Sequence, residues 1–243
     1  MILHDATAIR LQGFSGRTAV VTGAARGIGR RVAETIAAQG AATVGLDLRA
    51  PVIEGVRGLD CDVTSAESVD LAFGQVEDEL GTISVLVLNA GILVVEPFEQ
   101  TTLASWRRTM QVNLDSAFLC VHRAITPMRS QRYGRILAIG SSAGITGGKR
   151  NAAAYGASKA GIMTFAKAIA AEFASDGITA NALAPALIRT PMIADYPDMV
   201  AQVPVGRYGE PDDVAAIAAF LCSEHASYIT GEVIDVNGGF LID

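Results

Sequence analysis

Seven short apolar runs alternate along the chain with segments of helical period, and this alternation limits the fold more than any other feature. The runs lie at residues 18–21, 42–46, around 59–63, 83–88, 135–139, 179–183 and 232–236. Residues 27–39 place Ile28, Val32 and Ile36 on one helical face, and Gly40 ends the segment. Residues 65–80 open on a capping serine and set Val69, Phe73, Val76 and Leu80 in an apolar stripe. Further helices are predicted over 103–129, ending near Pro127, over the alanine-rich 152–173, and over 212–221. Strands that are apolar on both faces and alternate with helices belong to a parallel sheet covered on both sides. Right-handed crossovers make it a doubly wound α/β sheet of the Rossmann type, with about seven strands. No proline- or serine-rich linker interrupts the pattern, so one domain is expected over 1–243, with 1–16 as an N-terminal arm.

Composition removes several function classes. Half the residues are hydrophobic and 18% are charged, which excludes a disordered chain. Lysine plus arginine numbers 19 against 25 acids, a net charge of -6, and no basic stripe appears, so no nucleic-acid partner is expected. No apolar run approaches the ~18 residues of a membrane span. The N-terminal stretch carries an acid and no long apolar core, unlike a signal peptide. Cys61, Cys120 and Cys222 lie far apart, an odd count that suits reduced thiols in a cytoplasmic protein better than disulfides. His4, His122 and His225 are equally scattered, so no metal is expected.

The segment from Val20 to Gly29 follows a strand and opens a helix, the setting of a dinucleotide turn. Its spacing is Gly-x3-Gly-x-Gly. Gly23 allows the sharp turn, Gly27 allows backbone to approach a pyrophosphate, and Gly29 lets the helix sit close to the strand. Arg26 and Ile28 complete the cofactor-binding positions of this turn. Asp47 ends the second strand, 24 residues after Gly23, where a carboxylate can accept from the adenosine ribose hydroxyls and repel a 2′-phosphate. NAD is therefore expected over NADP, although Arg26 and Arg49 nearby could welcome a phosphate.

Tyr155 and Lys159 stand four apart on a predicted helix and project from one face. A tyrosine with a pKa near ~10 is a poor acid or base at neutral pH, and a neighbouring ammonium favours its phenolate. The pair suits proton transfer at an alcohol oxygen. Ser142, thirteen residues earlier and just past a strand, could hydrogen-bond a carbonyl oxygen at the C-terminal edge of the sheet, as could its neighbour Ser141.

Together these pieces resemble the short-chain dehydrogenase/reductase family, over roughly residues 16–239. The ordered motifs are Thr22-Gly23-Ala24-Ala25-Arg26-Gly27-Ile28-Gly29, Asn89-Ala90-Gly91, Asn113, Ser142, Tyr155-Gly156-Ala157-Ser158-Lys159, Pro185-Ala186 with Thr190, and the ending Asp235-Val236-Asn237-Gly238-Gly239. The resemblance implies that Tyr155 is the acid/base and that Ser142 polarises the substrate carbonyl. Lys159 would bind the nicotinamide ribose, and Asn113 would hold a water linking Lys159 to solvent. Asn89, Ala90 and Gly91 would wall the adenosine ribose, Asp62 and Val63 would meet the adenine, and Ile188 and Thr190 would contact the carboxamide. Leu88 and Ala186 depart from the family's usual asparagine and glycine.

The family also implies a homotetramer, with helices 103–129 and 152–173 paired across an interface. Met192, Ile193, Tyr196, Met199 and Val200 lie in the segment that covers the substrate there, and their makeup suggests an apolar lid. The expected activity is hydride exchange between NAD(H) and a small or medium secondary alcohol or its ketone. One alternative is a 3-oxoacyl-carrier-protein reductase, for which Arg129, Arg132 and Arg135 could dock an acidic carrier while Asp176 counts against it. The other is a cofactor-binding protein without catalysis.

Overall fold

A computed structural model describes residues 11–148, 151–194 and 198–242 of the chain. Most of the expected N-terminal arm, His4 and Tyr196 lie outside the described residues. Seven strands form one parallel sheet in the order β3-β2-β1-β4-β5-β6-β7. They are β1 (Thr18–Thr22), β2 (Ala42–Asp47), β3 (Arg57–Asp60), β4 (Ile83–Leu88), β5 (Gly134–Ile139), β6 (Ile178–Pro185) and β7 (Val233–Val236). The strand order reverses between β1 and β4. At such a reversal the loops leave in opposite directions, and a crevice opens beyond the carboxyl ends of the strands.

Register explains why the central strands read as unbroken apolar runs. Val20 lies beside Val44 and Leu86, and Ile136 lies beside Leu86 and Ala180. These residues form one buried layer with Phe73 and Ile162, under α2 (Ala66–Leu80), α4 (Ser116–Ser130) and α6 (Ala153–Phe173). Ala19, Val21, Val85, Val87 and Leu137 point the other way, onto α1 (Gly27–Ala38) and α7 (Pro211–Cys222). Every residue of β4 and β5 is buried, as two covered faces demand.

Four expectations change. The third strand ends at Asp60, because the Asp62 carboxylate accepts from the Thr64 amide at 2.9 Å and its hydroxyl at 2.7 Å and turns the chain. Ser65 caps α2, accepting from the Ser68 amide at 3.2 Å, but Leu80 in the last turn is exposed rather than part of the stripe. The helix expected over 103–129 is two helices, α3 (Leu103–Met110) and α4, joined by a π-helical turn at Gln111–Asp115. α4 runs past Pro127 to Ser130, since a proline in the last turn forfeits only one hydrogen bond.

The packing sets a clear expectation for stability. Truncating Leu86, fully buried in β4, to alanine should cost ~2–5 kcal/mol in a denaturant titration. The same change at Leu71, 68% exposed on α2, should stay within ~0.5 kcal/mol.

Candidate active site

The chemistry-bearing residues lie where the strands end. β1 leaves the sheet through Gly23, whose φ of +66° is left-handed. A Cβ there would lie 2.8 Å from Ala90 Cα and 2.9 Å from Asn89 Nδ2. One on Gly29 would overlap the Asn89 amide and the Gly23 carbonyl. Glycine is enforced at both positions by the close approach of the segment leaving β4. Hydrogen bonds hold that approach. Thr22 Oγ1 accepts from the backbone amides of Asn89 (3.0 Å) and Ala90 (3.1 Å) and donates to the Val87 carbonyl (3.3 Å). Asn89 Nδ2 donates to the carbonyls of Thr22 and Gly23, both at 2.9 Å.

Helix α1 begins with Arg26 as its N-cap, which makes no side-chain cap, and its first turn has no acidic residue. An N-terminus without a carboxylate suits an external anion, attracted by the first amides and by the helix dipole. Asp47, at the end of β2, reaches over this turn: its carboxylate accepts from the Ala25 amide at 3.0 Å and from the Leu48 amide at 2.9 Å. The strand-end position read from the chain is where the carboxylate stands, beside the glycine turn. The Asp62 carboxylate, by contrast, is occupied in its own turn, and the Thr64 hydroxyl and amide hold it below the usual carboxylate range. Val63 is buried beneath that turn.

Beyond β5 the chain enters a single helical turn, α5 (Ala143–Thr146), with Ser142 as its N-cap, and then α6. The Ser142 amide donates to the Pro185 carbonyl at 3.0 Å, fixing this loop to the end of β6. Lys159, one turn after Tyr155 on α6, is buried, and its Nζ donates to the Ile139 carbonyl at 2.7 Å. That nitrogen lies 5.8 Å from the centre of the Tyr155 ring. Burial pushes the Lys159 ammonium down to about 8. Gly91 leaves room for it: a Cβ there would stand 3.4 Å from Lys159 Nζ and 3.3 Å from Asn113 Oδ1.

Asn113 sits in the π-helical turn, fully buried. Its Oδ1 accepts from the Ile92 amide at 2.8 Å, and its Nδ2 donates to the Ile92 carbonyl at 3.0 Å and to Ser158 Oγ at 2.9 Å. The side chain thus ties the β4 exit to α6. Both donors of the Asn113 amide are thus used within the protein.

One cleft brings together Ser142, Tyr155, Lys159, Asn89, Gly91 and Ile188, with Ile28 and Thr190 also on its lining. Gly23, Arg26, Gly27, Gly29, Asp47 and Ala90 surround the adjoining turn rather than line the cleft. Asp62 and Val63 lie farther along the sheet edge, and Asn113 stands behind the wall. A dinucleotide fits this arrangement: an uncapped helix start for its phosphates, a carboxylate at the neighbouring strand end, and a cleft beside a buried lysine.

Sequence reasoning passed over Thr22 as a structural member of the site, and Leu93, Leu187 and Phe240 as cleft walls. The paired Gly238-Gly239 hinted that the chain turns back near its end; nothing local pointed to the others. Ala186 keeps a negative φ, so it fits where the family's usual glycine would stand, and the left-handed φ falls on Leu187 at +50°.

The lysine carries a stability signature. A folded-state value near 8 lies below the ~10.4 of an unfolded chain, so between those pH values the unfolded chain binds more protons and stability rises with pH. Below pH ~8 the buried charge costs on the order of 3 kcal/mol. Lys159→Met should therefore raise the melting temperature of the cofactor-free protein at pH 7, with the gap to the parent narrowing towards pH 10 in calorimetry.

The family model described as Enoyl-(Acyl carrier protein) reductase matches residues 23–241. The 3-oxoacyl-[acyl-carrier-protein] reductase FabG of Aquifex aeolicus is 39% identical over 250 residues, covering 95% of this chain and 98% of that protein. The FabG of Escherichia coli is 39% identical over 239 residues, 93% of this chain and 98% of that one. A solved structure described as an NAD(P)-dependent gluconate 5-dehydrogenase from Beutenbergia cavernae, with bound NADP at low occupancy, superposes with a TM-score of 0.85 at 34% identity. That superposition covers 93% of this chain and 97% of the other. The ordered motifs, the doubly wound sheet and these matches lead to one conclusion: the chain belongs to the short-chain dehydrogenase/reductase family, oxidoreductases that use a nicotinamide cofactor on ketones and alcohols.

Proposed function

We propose that this chain interconverts a secondary alcohol and its ketone with NAD(H) preferred, and that Tyr155, Ser142 and Lys159 carry the proton handling. The observation behind this reading is the convergence of those three residues in one cleft at the carboxyl edge of the sheet. The nicotinamide, when bound, supplies or accepts the hydride. Tyr155 gives its phenolic proton to the carbonyl oxygen during reduction and takes it from the alcohol during oxidation. Lys159, held by the Ile139 carbonyl near the tyrosine ring, stabilises negative charge on the phenol oxygen through a low-dielectric path. Ser142 is favoured over Ser141 for orienting the carbonyl, because Ser141 Oγ accepts from the Ala143 amide at 3.1 Å. Three free cysteines, all buried, support a reduced cytoplasmic setting. Exposed Leu103 and Phe118 on α3 and α4 support a homotetramer that covers this face.

Asp47 favours NAD, since a 2′-phosphate beside its carboxylate would meet like charge. The NADP in the Beutenbergia structure, with Arg26 and Arg49 exposed near the turn here, favours the other coenzyme. The kcat/KM ratio of NAD to NADP decides between them. It should exceed one and fall by about 10–100-fold in Asp47→Ala, on the scale of one lost charge-assisted hydrogen bond. Tyr155→Phe should lower kcat by ~100-fold or more without weakening NADH binding. Loss of binding instead would remove the tyrosine from its catalytic role.

A carrier-protein reductase is the second reading, favoured by the names of the FabG relatives. The cations weighed for docking behave differently in the fold. Arg135 is buried, donating to the carbonyls of Gly134 (2.9 Å), Gly177 (3.3 Å) and Ser223 (3.5 Å), so it offers nothing to a partner. Arg129 pairs with Asp176 at 2.8 Å, and Arg132 lies 4.0 Å from the same carboxylate. Acetoacetyl thioesters should therefore turn over no faster than a simple methyl ketone in a spectrophotometric assay; a large advantage for the thioester would establish the carrier reading.

A further inference from the structure

The substrate end of the cleft has a composition that bears on what can enter it. Among the described residues that line it, Lys159 alone carries a charge. Its ammonium stands against the Ile139 carbonyl and beside Gly91, on the cofactor side. An apolar wall of the same cleft is built from Leu93, Ala152, Leu187, Met192, Met199 and Phe240.

Two of these side chains are aimed by unusual backbone. Leu187 is one of three described residues other than glycine with positive φ, a conformation costly for a branched side chain. Neighbouring hydrogen bonds hold it there: the Leu187 carbonyl accepts from the Gly209 amide at 3.2 Å, and the Arg189 amide donates to the Gly209 carbonyl at 2.8 Å. Phe240 rides on a hook made by Gly238 and Gly239, both left-handed, with φ of +61° and +81°. Asn237 clamps the hook from both sides. Its Oδ1 accepts from the Gly239 amide at 2.8 Å, and its Nδ2 donates to the Leu241 carbonyl at 2.9 Å. The Val205 amide donates to the Gly238 carbonyl at 3.1 Å, locking the hook to the segment beyond the lid.

We infer that Leu187 and Phe240 are specificity-determining residues, and that the wall they form selects an uncharged ketone or secondary alcohol with an apolar substituent over sugar acids and other anionic substrates. This rests on the ketone reading above and narrows it. A carboxylate pressed against the wall would lose water and meet no cation among the described residues that line it, whereas an alkyl or aryl group would gain by burial. Selection therefore comes from the unpaired charge as much as from apolar contact.

The test compares two isosteres, 5-methylhexan-2-one and 4-oxopentanoate, reduced with whichever of NADH and NADPH the protein prefers. The neutral ketone should show kcat/KM on the order of 100-fold higher. Phe240→Ala should lower that value about tenfold and move the preference towards bulkier aryl ketones. Leu187→Gly, which relaxes the backbone, should do the same without lowering the melting temperature, and it serves where Phe240→Ala fails to fold. Equal turnover of the two isosteres, or preference for the anion, would overturn the inference while leaving the ketone chemistry intact. So would a substrate profile unchanged in both variants. No turnover of any ketone would overturn both readings together.

Discussion

The clasp between Thr22 and the Asn89-Ala90 backbone is the contact on which the rest of this structure depends. It joins the exits of two adjacent strands at the point where the sheet order reverses. A threonine hydroxyl accepts two amides and donates to Val87, while the asparagine amide satisfies two carbonyls of the turn. Loops leaving in opposite directions would otherwise leave these polar groups facing each other across the crevice unpaired. Pairing them draws the β4 exit so near the turn that side chains at positions 23 and 29 have no room. The glycines are thus a consequence of the clasp.

The catalytic side of the cleft is organised by a different trade. A lysine buried against one carbonyl is costly for the fold, and the cost is carried by packing elsewhere in α6 and β5. What it contributes is a fixed positive charge where water cannot screen it. Asn113 supports the arrangement from behind, its amide tying Ile92 to Ser158 on α6. A regular helix would carry residue 113 past this wall; the extra residue of the π turn aims it inward.

Arg135 shows how far a residue's meaning depends on its surroundings. In the linear chain it is one of three basic residues that could meet an acidic partner. In the fold it lies under Tyr133, 4.3 Å from the ring centre, and spends its donors on backbone carbonyls. Arg129 and Arg132 face Asp176 instead. Of the three charges that looked available for docking, only that of Arg135 is withdrawn from solvent.

The sheet was legible in the chain because a strand covered on both faces must be apolar throughout, and that pattern is local. The phosphate turn and the Tyr155–Lys159 pair were legible for the same reason: each is a short run whose spacing is set by one turn or one helical period. Asp47 could be placed by its position at a strand end, and the ordered motifs tied the family to the chain. The π turn, the exposure of Leu80, the burial of Arg135 and the walls at Leu187 and Phe240 could not be read in this way. Each depends on segments distant in sequence meeting in space, as when Gly209 holds Leu187 or Val205 anchors the hook under Phe240. Local periodicity determined what the strands and helices are and which chemistry they carry; only the packing of remote loops decided the shape and charge of the space where a substrate sits.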